Sequence, residues 1–199
     1  MELRPYQQKA VDAVSNSWRE FSKTLLVLPT GTGKTVVFSK VAERALNEGD
    51  GKILVLAHRE ELLTQARDKI YAATNLPCAF EKAGESSLDS LAPITCASVQ
   101  TLMRKPRLNR FSPRHYDTII VDEAHHALSD SYQNILGYFS SARVLGVTAT
   151  PDRGDKRNLG AYFQDIAFEY SIRDAIKENY LSKILVKTVP LKISLDGIK

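Results

Sequence analysis

Short, uninterrupted apolar runs alternate along this chain with stretches of helical period, and that alternation limits the fold more than any other feature. Thr24 to Leu28, Lys52 to Ala57, Ile94 to Ser98, Asp117 to Val121 and Val144 to Thr148 each read as a strand. Their near-continuous hydrophobicity predicts strands buried on both faces. Between them, residues 6–21 carry Tyr6, Ala10, Val14, Trp18 and Phe21 at helical spacing, residues 33–48 carry Val37, Val41 and Ala45, residues 59–74 repeat the pattern, and another helical stretch surrounds Tyr132 to Phe139. Strand, helix and strand in succession require parallel pairing with crossover helices, so the expectation is an α/β domain with a mostly parallel central sheet and helices on both faces. Residues 171–199 read differently. IRDAIKENY is one short helix and ILVKTVPLKI an isolated strand, with no capping or turn logic after it. The expected organisation is a domain over residues 1–170 and a segment over residues 171–199 leading toward a second domain, as in a chain cut partway through a longer protein.

Composition excludes several classes. The 27 basic against 23 acidic residues give a net charge of +4, which permits an anionic partner without demanding one. Cys78 and Cys96 are too few for a disulfide framework and form no C-x-x-C zinc spacing, so a reducing, cytoplasmic setting is expected. No apolar run exceeds about one strand, and MELRPYQQ has an acid at its second position with no apolar core behind it; neither a membrane partner nor a secretory signal is expected.

Residues 28–35, LPTGTGKT, lie between a predicted strand and a predicted helix. Gly31 and Gly33 let the backbone of Thr30, Gly31, Thr32 and Gly33 curl its N–H groups toward an anion, and the helix N-terminus adds a favourable dipole. Lys34 can reach the β and γ phosphates and the Thr35 hydroxyl can ligate magnesium. The strict G-x-x-x-x-G-K-[ST] pattern has glycine where this chain has Leu28; GTGKT is intact. A phosphate loop needs a carboxylate beyond it. DTIIVDEAHH at 117–126 ends an apolar strand in Asp122 and Glu123. In a parallel sheet Asp122 emerges at the carboxyl edge, where metal and phosphates sit, and Glu123 can orient or deprotonate an attacking water.

With these two segments the chain resembles the superfamily-2 helicases, in the DEAD/DEAH-box branch that includes type III restriction subunits and repair translocases. The resemblance covers about residues 1–190. RPYQ at 4–7 resembles the adenine-reading Q motif, VLAHREELLTQA at 55–66 motif Ia, ITCASVQTL at 94–102 the next nucleic-acid segment, DEAH at 122–125 motif II and TATP at 148–151 motif III. It implies a RecA-like P-loop domain, a helicase or translocase ATPase activity, ATP and magnesium as cofactors, and a nucleic-acid partner with DNA the expected track. Lys34, Asp122 and Glu123 would be the catalytic set, with Thr35 and Asp122 on the metal.

The resemblance assigns further residues. Gln7 would read adenine, because a side-chain amide matches the N6 and N7 edge of adenine and mismatches guanine; Gln8 competes for that role, and an exposed helix residue is the plain alternative. Tyr6 either flanks the base or begins the core of its helix. His58, Arg59, Ser98, Gln100 and Thr101 would contact nucleic-acid backbone, with helix capping an equal reading for Ser98. His125, Thr148 and Thr150 would couple the two sites, whereas His126 reads as a surface residue pointing elsewhere. Arg104 to His115 holds five basic residues and no acid, with Phe111 inside it and Tyr116 next to it. A solvated loop near the amino edge of the sheet is expected there rather than a nucleic-acid patch.

In this family a second RecA-like domain supplies motifs IV to VI and the arginine fingers, and Arg153 and Arg157 stand on the wrong domain for that role. The chain is therefore expected to bind nucleotide and to turn it over barely at all. A stand-alone nucleotide-dependent binding module is the alternative. A GTPase or nucleotide kinase is disfavoured, since no N-K-x-D motif occurs and DEAH and TATP would go unexplained.

Overall fold

The computed structural model describes residues 2–58, 60–149 and 159–183. Seven strands form a single parallel sheet: β1 (Lys23–Val27), β2 (Ile53–Ala57), β3 (Cys78–Glu81), β4 (Ile94–Ser98), β5 (Thr118–Asp122), β6 (Arg143–Thr148) and β7 (Asp165–Glu169). Their spatial order is β3-β4-β2-β5-β6-β1-β7. The five strands legible as apolar runs are the five central ones.

Adjacent residues of each run serve opposite cores, which is why no alternation is visible in them. Leu26 and Leu28 pack with Val55, Ile120 and Leu145 under the helices α1 (Pro5–Ser17), α2 (Lys34–Asn47) and α3 (Glu60–Thr74). Leu25 and Val27 pack with Leu54, Ile119 and Val144 on the other face. That face is covered by the short helices α4 (Val99–Leu102) and α5 (Lys105–Leu108), by α6 (Asp130–Tyr138) and by Leu159 and Phe163. A final helix, α7 (Ile172–Lys177), buries Ala175 in the first core alongside Tyr6 and Ala10. Residues 171–183, read from sequence as the start of a connecting segment, thus pack on the same layer as α1. The strand expected in ILVKTVPLKI falls at residues 184–193, outside the described residues.

The stretch around Arg104 to His115 departs from the expected loop. It contains α5, Phe111 and Tyr116 are core residues rather than exposed rings, and Tyr116 sits edge-on to Phe139 at 5.2 Å. Arg107 is an ion-pair partner of the fully buried Glu81 and also donates to the Glu85 carbonyl oxygen. Arg107 is drawn inward because β3 supplies a buried acid that needs a cation, while Arg104, Lys105, Arg110 and Arg114 stay exposed as expected. Among the described residues no helix is long and apolar enough to cross a membrane.

Candidate functional site

Apart from RPYQ, which opens α1 ahead of β1, the described functional residues named above lie at the carboxyl edge of the sheet, because each follows a parallel strand. The loop at 28–33 follows β1, Asp122 and Glu123 end β5, and only β6 separates the two. Sequence separation is large, yet the Lys34 Nζ lies 3.4 Å from Glu123 Oε1. Glu123 Oε2 in turn lies 3.5 Å from His125 Nδ1. Lys34, Glu123 and His125 thus stand in one row.

The loop is shaped by two left-handed glycines, Gly31 at φ 85° and Gly33 at φ 83°, the latter at the N-terminus of the 14-residue α2. A side chain costs about 1–2 kcal/mol in that conformation, which accounts for glycine at both places. Thr30 and Gly31 are exposed, while Gly33, Lys34 and Thr35 are half-buried at the mouth of the loop. Thr32 faces inward instead. Its hydroxyl donates to the Pro29 carbonyl oxygen at 2.6 Å, and its own carbonyl oxygen accepts from the Tyr6 hydroxyl at 2.6 Å and from Gln7 Nε2 at 3.0 Å. Thr32 is a brace beneath the loop.

Gln7 is not the exposed helix residue that was the plain alternative. It is buried, its Oε1 accepts the Arg4 N–H at 3.0 Å to cap α1, and its Nε2 ties α1 to the phosphate loop. Each end of the amide keeps one further bonding direction, since the oxygen has a second lone pair and the nitrogen a second hydrogen. Gln8, by contrast, is exposed and bonds Asp12 within its own helix at 3.0 Å. Tyr6 resolves toward the core: it is buried and stacked on Tyr170 at 4.4 Å.

Asp122 carries the electrostatic tension of the site. Burial pushes its carboxyl above the ordinary value and the neighbouring Glu123 charge adds to this, while Lys34 opposes both. Its Oδ1 accepts the Glu123 N–H at 3.0 Å, and among the described residues nothing donates to Oδ2. Glu123 itself adopts a left-handed backbone, φ 54°, strained for a residue with a side chain. A half-buried carboxylate with one uncommitted oxygen, and a Thr35 hydroxyl that has no hydrogen-bond partner among the described residues, are hard oxygen donors of the kind that magnesium prefers. The donor set fits.

The nucleic-acid candidates are only partly gathered. Ser98 is buried at the start of α4 and donates to Gln100 Oε1 at 2.8 Å, and Gln100 Nε2 donates to the His58 carbonyl oxygen. His58, Ser98 and Gln100 are therefore joined, with His58 and Gln100 exposed and Thr101 half-buried. Arg59, Thr150, Arg153 and Arg157 lie outside the described residues. Thr148 is buried at the end of β6, its carbonyl oxygen accepting the Leu28 N–H at 3.0 Å. His126 does not point elsewhere: its ring stacks on His58 at 5.2 Å and lies 4.1 Å from His125. The 3₁₀ turn Ala124–His126 that follows Glu123 brings the two histidine rings together, which an α-helix would not. These rings, with Glu61, Gln65, Asp122 and Glu123, line a cleft of about 440 Å³. Glu61 and Gln65 were not singled out in the sequence, where their i, i+4 spacing on one face of α3 was the available signal; Tyr170, Tyr180 and Leu181 beside the loop had no local signal at all.

Residues 1–153 match the family described as type III restriction enzyme, res subunit. The chain is 35% identical over 99% of its length to the putative ATP-dependent helicase IRC3 of Saccharomyces cerevisiae, covering 30% of that protein. It is 33% identical over its whole length to the DNA 3'-5' translocase XPB2 of Sulfurisphaera tokodaii, covering 42% of it. The chain thus spans about a third of the length of such relatives. Among solved structures it is similar to the Hef helicase domain of Pyrococcus furiosus, with 30% identity and a TM-score of 0.66 over 85% of this chain and 38% of that one. The UvsW helicase of bacteriophage T4 shares the fold at 22% identity, with a TM-score of 0.68 over 85% and 61% of the two chains. With its seven-stranded parallel sheet and a family match over more than half its length, this chain belongs to the type III restriction res-subunit family of superfamily-2 helicases, as a RecA-like domain.

Proposed function

We propose that this chain is the nucleotide-binding motor domain of an ATP-dependent DNA helicase or translocase, completed by a second RecA-like domain. The observation that carries the proposal is the meeting of Lys34 and Glu123 across β6, which joins a phosphate loop to an acidic strand end on one sheet edge. In this reading N–H groups of the loop and Lys34 hold the triphosphate, and Lys34 exchanges Glu123 for phosphate oxygens when nucleotide enters. Thr35 and Asp122 would hold magnesium, which supplies neutralisation of phosphate charge. Glu123, once released, takes the position from which a carboxylate orients water and accepts its proton. Gln7 turns its remaining donor and acceptor toward adenine. His58, Gln100 and Thr101 face a DNA backbone, Arg59 shares that role by its place in the sequence, and His125 links that surface to Glu123.

Calorimetric titration with magnesium ATP tests the core of this reading. Lys34→Ala is expected to lose on the order of tenfold to a hundredfold in affinity, since one charge-assisted contact contributes roughly 1.5–3 kcal/mol. Unchanged affinity overturns it. Steady-state hydrolysis by the chain alone is expected near background with or without DNA, because arginine fingers in related phosphoryl transfers contribute on the order of a thousandfold or more. Robust DNA-stimulated turnover, lost in Glu123→Gln, would show a self-sufficient ATPase.

A further inference from the structure

Cys78 and Cys96 lie apart from the site described above. Cys78 opens β3, so it stands at the amino edge of the sheet, with β4 and β2 between its strand and β5. In the parallel register Cys78 is opposite Ile94 and Phe80 is opposite Cys96. The two cysteines are thus diagonal neighbours on one face of the sheet, and both pack into the first core beneath α3.

They are not equivalent. Cys96 is fully buried, whereas Cys78 is half-buried, its Sγ 3.8 Å from the Leu76 carbonyl oxygen. Cys78 also lines an open cavity of about 360 Å³ between α3 and β3, walled by Arg67, Asp68, Tyr71 and Pro77. Arg67 is held over the Phe80 ring, 4.8 Å from its centroid, on the face that carries both thiols. The Cys96 thiol beside it keeps Cys78 below the ordinary thiol value against the cost of burial, and the Arg67 charge acts in the same sense. Cys96 is pushed well above that value by Cys78 and by its own burial. One sulfur therefore carries the thiolate and reaches the cavity, while the other keeps its proton and is sealed. A partly exposed thiol in an electropositive setting is the reactive kind, and a buried one is inert.

We infer that Cys78 is a thiol-exchange site, which takes small disulfides through the cavity between α3 and β3 and leaves Cys96 unmodified. The Cys78 thiolate attacks one sulfur of the incoming disulfide. That S–S bond breaks, a new one joins the attacked sulfur to Cys78, and the other half leaves as a thiolate that takes up the proton Cys78 gave to solvent. The adduct persists rather than passing on to Cys96. Strands about 4.8 Å apart and an offset of two residues separate the two Cα atoms by about 8 Å, beyond the roughly 7 Å that a disulfide spans, so a Cys78–Cys96 bond would need the strands to move. The site is independent of the nucleotide reading above.

Its test is incubation of the folded chain with glutathione disulfide, read by mass spectrometry of the intact and digested protein. One glutathione per chain is expected, on Cys78 and removed by a reductant, with none on Cys78→Ser. An adduct on Cys96, a Cys78–Cys96 bond or no adduct at all overturns the inference. Alkylation by iodoacetamide across pH measures the cause. Its midpoint at Cys78 should lie below that of the same chain unfolded in urea, and a midpoint at or above that value refutes the assignment. Cys96→Ala should slow Cys78 alkylation at pH 7 by roughly twofold to tenfold, because the thiolate loses its neighbour, and Cys96→Ser, which keeps a small donor, should restore most of the rate. A loosened fold would expose the sulfur and speed the reaction, so the slowing is distinct from a structural defect. A faster or unchanged rate in Cys96→Ala overturns the role given to the pair.

Discussion

Gly33→Ala isolates the contact between α1 and the phosphate loop. Two costs add at this position. The backbone sits at φ 83° and ψ 38°, which an alanine adopts at about 1–2 kcal/mol. The new Cβ would also lie 2.6 Å from Gln7 Nε2, closer than real atoms pack, so the amide must leave the Thr32 carbonyl oxygen. Gln7 is 6% exposed, and a displaced buried donor costs about 1–3 kcal/mol more. The expected destabilisation is therefore about 2–5 kcal/mol. Gly31→Ala is the internal comparison, because its φ of 85° carries the same strain while its Cβ meets only the flexible end of Leu181 at 3.1 Å. It should cost about 1–2 kcal/mol. Urea denaturation, read as a shift in midpoint at constant slope, measures both. In a Gln7→Ala background the cost of Gly33→Ala should fall to that of Gly31→Ala, a coupling of about 1–3 kcal/mol in the double-mutant cycle. If Gly33→Ala costs the same in both backgrounds, the Gln7 bridge does not shape the loop and the reasoning is wrong.

Arg107→Ala leaves Glu81 fully buried with Ser87 as a hydrogen-bond donor but no cation, and should destabilise the chain by about 3 kcal/mol in urea melts; Glu81→Gln added to it should recover part of the loss, and a cost under about 1 kcal/mol contradicts the pairing. Asp122→Asn should stabilise the fold at neutral pH: a carboxyl whose folded pKa is raised binds protons more tightly in the folded state, so its ionisation costs stability as pH rises through the folded value. That gain should vanish below about pH 4, where the carboxyl is protonated folded and unfolded alike, and melts across pH that run parallel for both proteins would refute it. Glu123→Gln frees Lys34 from a half-exposed ion pair, so magnesium ADP affinity should rise by up to about fivefold in titration; a fall would mean that Glu123 itself holds the nucleotide.

The central strands and α1 to α3 were legible in the sequence because each is a local pattern with a physical cause: unbroken apolar runs for strands that feed two cores, a period of 3.6 for helices that cover them. The phosphate loop and the Asp122–Glu123 pair were legible for the same reason, since glycines in a left-handed turn, a lysine and an acidic strand end are demanded by local chemistry. The edge strands β3 and β7 were not, because CAFE and DIAFE are short and half-covered and owe their conformation to the neighbour they pair with. Nor could the sequence say that Phe111 and Tyr116 belong to the core, or that Arg107 answers Glu81. Those outcomes depend on what the sheet leaves to be filled. The sharpest case is the loop's surroundings: Tyr6, Gln7, Tyr170, Tyr180 and Leu181 come together only because β7 adds outside β1 and carries α7 back across α1. Residues some 150 positions apart meet there with no shared motif. Local patterns determined which segments bear phosphate chemistry, and strand order alone decided which side chains stand around them.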